Sequence, residues 1–160
     1  MAQQTINLGT VANDDTGDTL RDGGDKINQN FTELYDALGG NPTESLIIAC
    51  SDESTALTTG TAKVTFRMPY AFTLTDVRAS VNTAPTGATL NVDINEGGVS
   101  VLSTVLTIDA GEKTSTTAAT PAVISDASLA DDAEMTVDID QVGSTVAGKG
   151  LKVALIGHRT

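Results

Sequence analysis

The sequence has almost no aromatic residues and no tryptophan: Phe, Tyr and Trp together make up 3% of its 160 residues. A site that cleaves glycans with a pair of carboxylates usually also presents aromatic rings on which sugars stack, so this composition argues against one. Val, Ile, Leu and Ala must fill the core instead. Because Thr and Val are stiff at their first side-chain torsion and fit a pleated surface, their frequent use favours β structure.

Cysteine and histidine each occur once. Cys50 alone excludes an intrachain disulfide, and its apolar surroundings predict a small buried side chain. His158 lies two residues from the end of the sequence, a weak foundation for a nucleophile–histidine mechanism. Two carboxylate clusters remain as metal candidates, and neither matches the calcium loop: Asp14, Asp15 and Asp18, and Asp131, Asp132 and Glu134. We therefore predict no catalytic residue, no metal site and no cofactor.

Positive charge is scarce, since 9 Lys and Arg stand against 21 Asp and Glu and give a net charge of −12. Nucleic-acid binding needs clustered cations, so we predict no nucleic-acid partner. No apolar run is long enough to span a bilayer, and we predict no membrane association. The first residues lack the basic and apolar regions of a signal peptide, which predicts synthesis in a cytoplasm.

The stretch GSTVAGKG at residues 143–150 is close to the loop with which nucleotide-hydrolysing enzymes hold phosphate. Such a loop needs a strand before it and a helix after it. Here an apolar, strand-like run follows, and Gly150 stands where a hydroxyl should bind Mg²⁺. We interpret the stretch as a glycine-rich hairpin loop.

The composition changes near residue 40. Residues 1–18 lack hydrophobic periodicity and predict an extended segment, whereas residues 19–40 predict a helix with Thr19 or Asp18 as its N-cap. The apolar positions of this helix follow a spacing of four, three, four, three, four, with Gly24 in the remaining slot: Leu20, Ile27, Phe31, Leu34 and Leu38. A helix so short and weakened by glycine does not persist alone, so this row needs a partner.

Two partners are open to the helix: its own β domain, or other copies of the chain. The row is narrow and of heptad type, which favours self-association. With Leu20 at position d, Ile27 also falls at d and Leu38 at a. Isoleucine at d and leucine at a favour coiled coils of three or more helices. We predict a homotrimer with these five residues in its interface.

From residue 45 the hydrophobic period becomes two. The candidate strands are 46–51, 62–68, 72–82, 88–94, 99–108, 121–124, 135–141 and 151–157. Short strands with frequent turns and no interleaved helix predict a mainly β fold: an antiparallel, jelly-roll-like β-sandwich at residues 45–160, preceded by one short N-terminal helix. Asn95–Gly98 is typical of a hairpin turn.

Two parts of the sequence resemble structural proteins of tailed bacteriophages. Residues 6–35 resemble a segment near the N-termini of these proteins, notably fibres, through Gly9-Thr10, Asn13–Asp18 and Asp25–Phe31. The second part looks like a β-module at the ends of phage virion proteins, and it comprises Met68–Leu74, Thr86–Asn95, Asp138–Ser144 and Gly148–Leu151.

The resemblance implies a virion structural protein on the outer surface of the particle, trimeric and without catalytic residues. Its N-terminal part would attach it to the major capsid protein or another virion protein, and Ile6, Leu8 and Val11 are the apolar residues available for that contact. No repetitive shaft separates anchor from β domain, which favours a capsid decoration (cement) or head-fibre protein. The alternative is a short tail-fibre or tail-tip module that recognises host surface glycans.

Overall fold

The computed structural model describes residues 4–11, 15–37 and 41–160. They belong to two compact units, Met1–Pro42 and Thr43–Thr160, called here the N-terminal unit and the β unit. The described ranges contain one α-helix, α1, at Leu20–Ala37, and a single 3₁₀ turn at Ser115–Thr117. They also contain eleven strands: β1 Glu44–Ala49, β2 Gly60–Arg67, β3 Phe72–Ser80, β4 Leu90–Glu96, β5 Val99–Ser100, β6 Leu102–Thr104, β7 Leu106–Ile108, β8 Val123–Ile124, β9 Ser128–Leu129, β10 Glu134–Gln141 and β11 Lys152–Arg159.

The β unit is an antiparallel sandwich of two main sheets. One sheet has the order β1-β11-β3-β9, and the other has β2-β10-β4 with both β5 and β7 paired to β4. The chain changes sheet at each step from β1 to β4 and again at each step from β7 through β9 and β10 to β11. This alternation is that of a jelly roll. The predicted fold class is confirmed.

The core lies between the two sheets and is almost entirely aliphatic. On β10 the side chains alternate as predicted, with Val137 and Ile139 buried while Asp138 and Asp140 point away from the core. The same alternation on both sheets brings the apolar faces into one buried cluster. The largest fully buried side chains are Phe72, Met68, Leu90, Ile94, Leu106, Ile108, Leu129, Met135, Ile139, Leu151, Leu155 and Val92.

The prediction of one long strand at 99–108 was wrong. Val101 and Leu102 are adjacent in sequence and both buried, which a regular two-residue period does not allow. The chain therefore leaves β4 after β5, forms β6 against β8, and returns to β4 as β7. The two-residue strand β9 was not predicted at all, because so short a stretch has no readable period.

The interpretation of residues 143–150 as a hairpin loop was also wrong. They connect β10 to β11, which lie in different sheets, so the stretch crosses from one face of the sandwich to the other. It is held to the loop before β4 by bridges from Val146 to Thr86 and from Lys149 to Thr83. A strand follows the stretch, as the sequence indicated, and the geometry is not that of a phosphate loop.

Helix α1 begins one residue after Thr19, and its last described residue is Ala37. The predicted end at residues 38–40, including Leu38, lies outside the described residues. No helix in the described ranges is both long and apolar enough to cross a bilayer.

Candidate interaction surface of the N-terminal unit

Helix α1 starts at a reciprocal cap formed by Thr19 and Asp22. The Thr19 hydroxyl accepts the Asp22 backbone N–H at 3.1 Å and donates to the Asp22 carboxylate at 2.7 Å. Such a cap satisfies one of the donors that the first helical turn leaves without an internal partner. The start of the helix is therefore determined locally, by two residues three positions apart.

Residues 4–11, called here the strap, run back along the helix. The Gln4 backbone N–H donates to Asn30 Oδ1 at 2.8 Å, and Asn30 Nδ2 donates to the Gln4 carbonyl at 2.9 Å. One turn nearer the helix start, Lys26 Nζ donates to the Thr5 carbonyl at 3.2 Å. The helix thus offers polar side chains to the strap backbone, much as a neighbouring strand would.

Asp18 joins the strap to the helix at the other end of this contact. Its carboxylate pairs with Lys26 Nζ at 2.6 Å and accepts the Asn7 backbone N–H at 2.8 Å, while its own N–H donates to the Asn7 carbonyl at 2.8 Å. The hydrogen bond from Lys26, followed by that from Asn7, lowers the pKa of Asp18. A Cβ at Gly17 would lie 3.0 Å from the Asn7 carbonyl oxygen and 3.1 Å from the Gly9 nitrogen, so this close crossing favours glycine.

The apolar row predicted along the helix is exposed. Gly23 is the only buried residue in the described part of the N-terminal unit. The exposed fractions of the described row residues are 96% for Leu20, 44% for Ile27, 56% for Phe31 and 49% for Leu34. Tyr35, beside the row, is also exposed. Such a density of exposed large hydrophobic side chains is typical of an interaction surface.

The three residues predicted to anchor the chain differ in their surroundings. Ile6 is half-buried, and its Cγ2 methyl lies 3.7 Å from the position that a Cβ on Gly23 would occupy. Leu8 and Val11 are exposed. Ile6 therefore packs against the chain's own helix, and Leu8 and Val11 are the two whose side chains face outward.

A groove of about 340 Å³ lies between strap and helix. Ile6 and Leu8 line it from the strap, and Leu20 and Ile27 line it from the helix, so residues predicted for two separate roles share one surface. Gly24 lies in its floor, with open space where a side chain would stand.

The single cysteine of the β unit, Cys50, is buried. Burial raises the pKa of the Cys50 thiol to about 11, which leaves it protonated and inert near neutral pH. No group of three or more potential metal ligands occurs in residues 4–11, 15–37 and 41–160. Arg159 stacks 4.0 Å from the Tyr70 ring and pairs with Glu44, which fixes the first strand to the end of the last. The hydrogen bond from Tyr70, aided by Arg159, lowers the pKa of Glu44.

The sequence as a whole matches the profile of a family described as bacteriophage T4 gp9/10-like protein, N-terminal, over residues 3–149. The chain belongs to this family. It is a structural protein of a tailed-phage virion, as the resemblance in its sequence indicated. The match covers both units and so includes the strap, the helix and most of the sandwich.

A curated relative is the baseplate wedge protein gp10 of Enterobacteria phage T4, 34% identical over 105 residues. The alignment covers 57% of this chain and 17% of the relative, so the chain spans about a sixth of the length of that protein. No solved structure matches the chain.

The structure gives a role to polar residues that the sequence argument left unassigned. Asn7, Lys26 and Asn30 were not predicted as site residues, yet they hold the strap to the helix. The signal was present, because Asp18, Lys26 and Asn30 lie within the stretches that carry the phage resemblance. In this family member, those polar residues hold the strap to the helix, while the described residues of the apolar row stay exposed.

Proposed function

We propose that this chain is a non-enzymatic structural component of the phage tail or baseplate, which self-associates as a trimer through its N-terminal unit and contacts another virion protein. The observation that carries the proposal is the exposed apolar row of α1. Leu20, Ile27, Phe31 and Leu34 repeat with heptad spacing and are between 44% and 96% exposed in the single chain. Identical helices are the partners that such a row fits best.

The tail location rests on the relative. That relative is a baseplate wedge protein, and a capsid decoration or head-fibre protein has no comparable support. Receptor recognition by the sandwich remains compatible with this location, since the jelly roll does not by itself determine a ligand. Within the described residues, exposed β-unit side chains such as Ile47 and Val99 offer additional contact area.

The oligomeric state is tested by placing a charge in the row. Leu34→Asp introduces a carboxylate where three copies would meet, and burying an unpaired charge is costly. We expect light scattering at micromolar concentration to give three chain masses for the wild type and a lower mass for Leu34→Asp. Thr32→Asp carries the same charge on the exposed helix surface outside the row and is the matched control. A monomeric wild type contradicts the trimer, and equal masses for both variants contradict the helix row as its interface.

The location is tested on intact particles. Antibodies raised against the β unit should label the tail end in electron micrographs, at symmetry-related positions. Label spread over the head would reverse the proposal in favour of capsid decoration. Turnover of host polysaccharide by the purified chain would contradict the non-enzymatic assignment.

A further inference from the structure

The groove between strap and helix has a floor without side chains. At Gly24 an added Cβ would meet no atom within 4 Å, and at Gly23 it would touch only the Ile6 methyl. The walls are apolar, with Leu8 on the strap side and Leu20 and Ile27 on the helix side. A side chain entering from outside would therefore reach the helix backbone between apolar walls.

Gly24 also interrupts the apolar row. It occupies the heptad position between Leu20 and Ile27, so a bundle of identical helices would contain a layer made of glycines alone. An unfilled apolar layer forfeits packing contacts and leaves a void. The apolar side chains that border this gap are Leu20 and Ile27 of the row and Leu8 of the strap, and Leu8 is 87% exposed.

We propose that this groove is a self-association site, in which the strap and helix of one copy enclose the Leu20 side chain of a second copy. The inference rests on the proposed self-association and specifies how it is built. Size permits it, because a cavity of about 150 Å³ already admits a benzene-sized molecule and this groove has about 340 Å³. Leu20 is 96% exposed, so it is available to enter a neighbour.

A second copy fits the groove better than an unrelated protein does, because two of its walls belong to the apolar row. A partner bound there must also cover Ile27 and the other apolar side chains of the row. A second α1 can do so because its own apolar side chains have the same spacing.

Leu8 is thereby assigned to contact between copies, not to attachment to the particle. Val11, three residues further along the strap, is similarly exposed at 69% but does not line the groove. The two residues form a matched pair, since both are apolar and exposed. Comparing variants at these two positions distinguishes an effect on the groove from a general loss of exposed hydrophobic surface.

The first test compares Leu8→Asp with Val11→Asp in the full chain by sedimentation equilibrium. We expect Leu8→Asp to weaken association by roughly tenfold or more, as for a residue enclosed at the centre of an interface, and Val11→Asp to leave it nearly unchanged. An associated wild type with an unaffected Leu8→Asp overturns the groove and spares the self-association. A monomeric wild type overturns both.

The second test uses disulfide cross-linking between differently tagged chains, one carrying Leu8→Cys and the other Leu20→Cys. Because the two cysteines lie on differently tagged chains, a disulfide between positions 8 and 20 joins two copies. Mass spectrometry identifies this bond by the tags of the linked chains. We expect this bond to form under mild oxidation, and a mixture of Val11→Cys with Leu20→Cys to give far less. The parent chain controls for Cys50, which is buried. Equal yields in the two mixtures, or no bond between 8 and 20, overturn the proposal.

Discussion

The two units of this protein use apolar residues in opposite ways. In the β unit, 22 apolar residues form one buried cluster, whereas Gly23 is the only buried residue in the described part of the N-terminal unit. The N-terminal unit is held together by polar contacts such as Lys26 to Asp18 and Asn30 to Gln4, and its described leucines are exposed. One unit buries its apolar residues within a single chain, and the other leaves most of its described apolar residues exposed.

The largest expected effect of this contrast comes from truncating one phenylalanine in each unit. Phe72 is fully buried, so Phe72→Ala should cost the β unit about 3–5 kcal/mol in equilibrium urea unfolding. Phe31 is 56% exposed, and Phe31→Ala should leave that transition nearly unchanged while reducing the mass seen by light scattering. A similar loss of β-unit stability in both variants would show that the units do not differ in this way.

A smaller effect is expected from the polar contacts of the strap. The pKa of Asp18 is lowered in the folded unit, so its contribution to stability is present above the unfolded pKa of about 3.9 and is lost as pH falls through the lower folded value. The Asn7 amide, which donates to this carboxylate, should report the change as an NMR shift in that acidic window.

Asp18→Asn removes the titrating group and should abolish the pH response of the Asn7 amide. Asp25→Asn, at an exposed position of the same helix, serves as the control and should leave the response in place. A pH response that survives Asp18→Asn would mean that Asp18 does not hold the strap.

The smallest effect is expected in the crossing loop between β10 and β11. Lys149 pairs with Thr83 through its backbone, and none of its described contacts requires the ammonium group. Lys149→Ala should therefore change the free energy of unfolding by no more than about 0.5 kcal/mol. Calorimetry checks the stability, and titration with ATP should show no binding by either protein. Micromolar ATP binding lost in Lys149→Ala would contradict the reading of this stretch as a structural connection.

The sequence predicted the features that depend on neighbouring residues and missed those that depend on residues far apart in the chain. The alternation of Met135–Asp140 was readable because strand period and burial coincide on β10. The Thr19 cap lay within four residues of its partner Asp22. The crossing of residues 143–150 was misread because a hairpin and a sheet-to-sheet connection have the same glycine-rich composition, and only distant pairing distinguishes them.

The sequence pointed to the helix row of the candidate surface but not to the groove beside it. The heptad spacing located the described row residues, but the groove depends on the strap folding back, a contact between residues more than twenty positions apart. Polar residues such as Asn30 have many roles on a helix, and their spacing does not predict that they hydrogen-bond to the backbone of the strap. The division of Ile6, Leu8 and Val11 into one packed and two exposed side chains was likewise beyond the sequence.

The pairing of β1 has a consequence for folding during synthesis. Glu44 pairs with Gly157, and β11 lies between β1 and β3, so the first sheet cannot close until nearly the whole chain has emerged. The described contacts between strap and helix involve only residues up to Asn30, and at about 5–20 residues per second the 123 residues after Ala37 take roughly 6–25 s. For that interval the nascent chain presents a finished helix and strap ahead of a sheet that still lacks its inner strand.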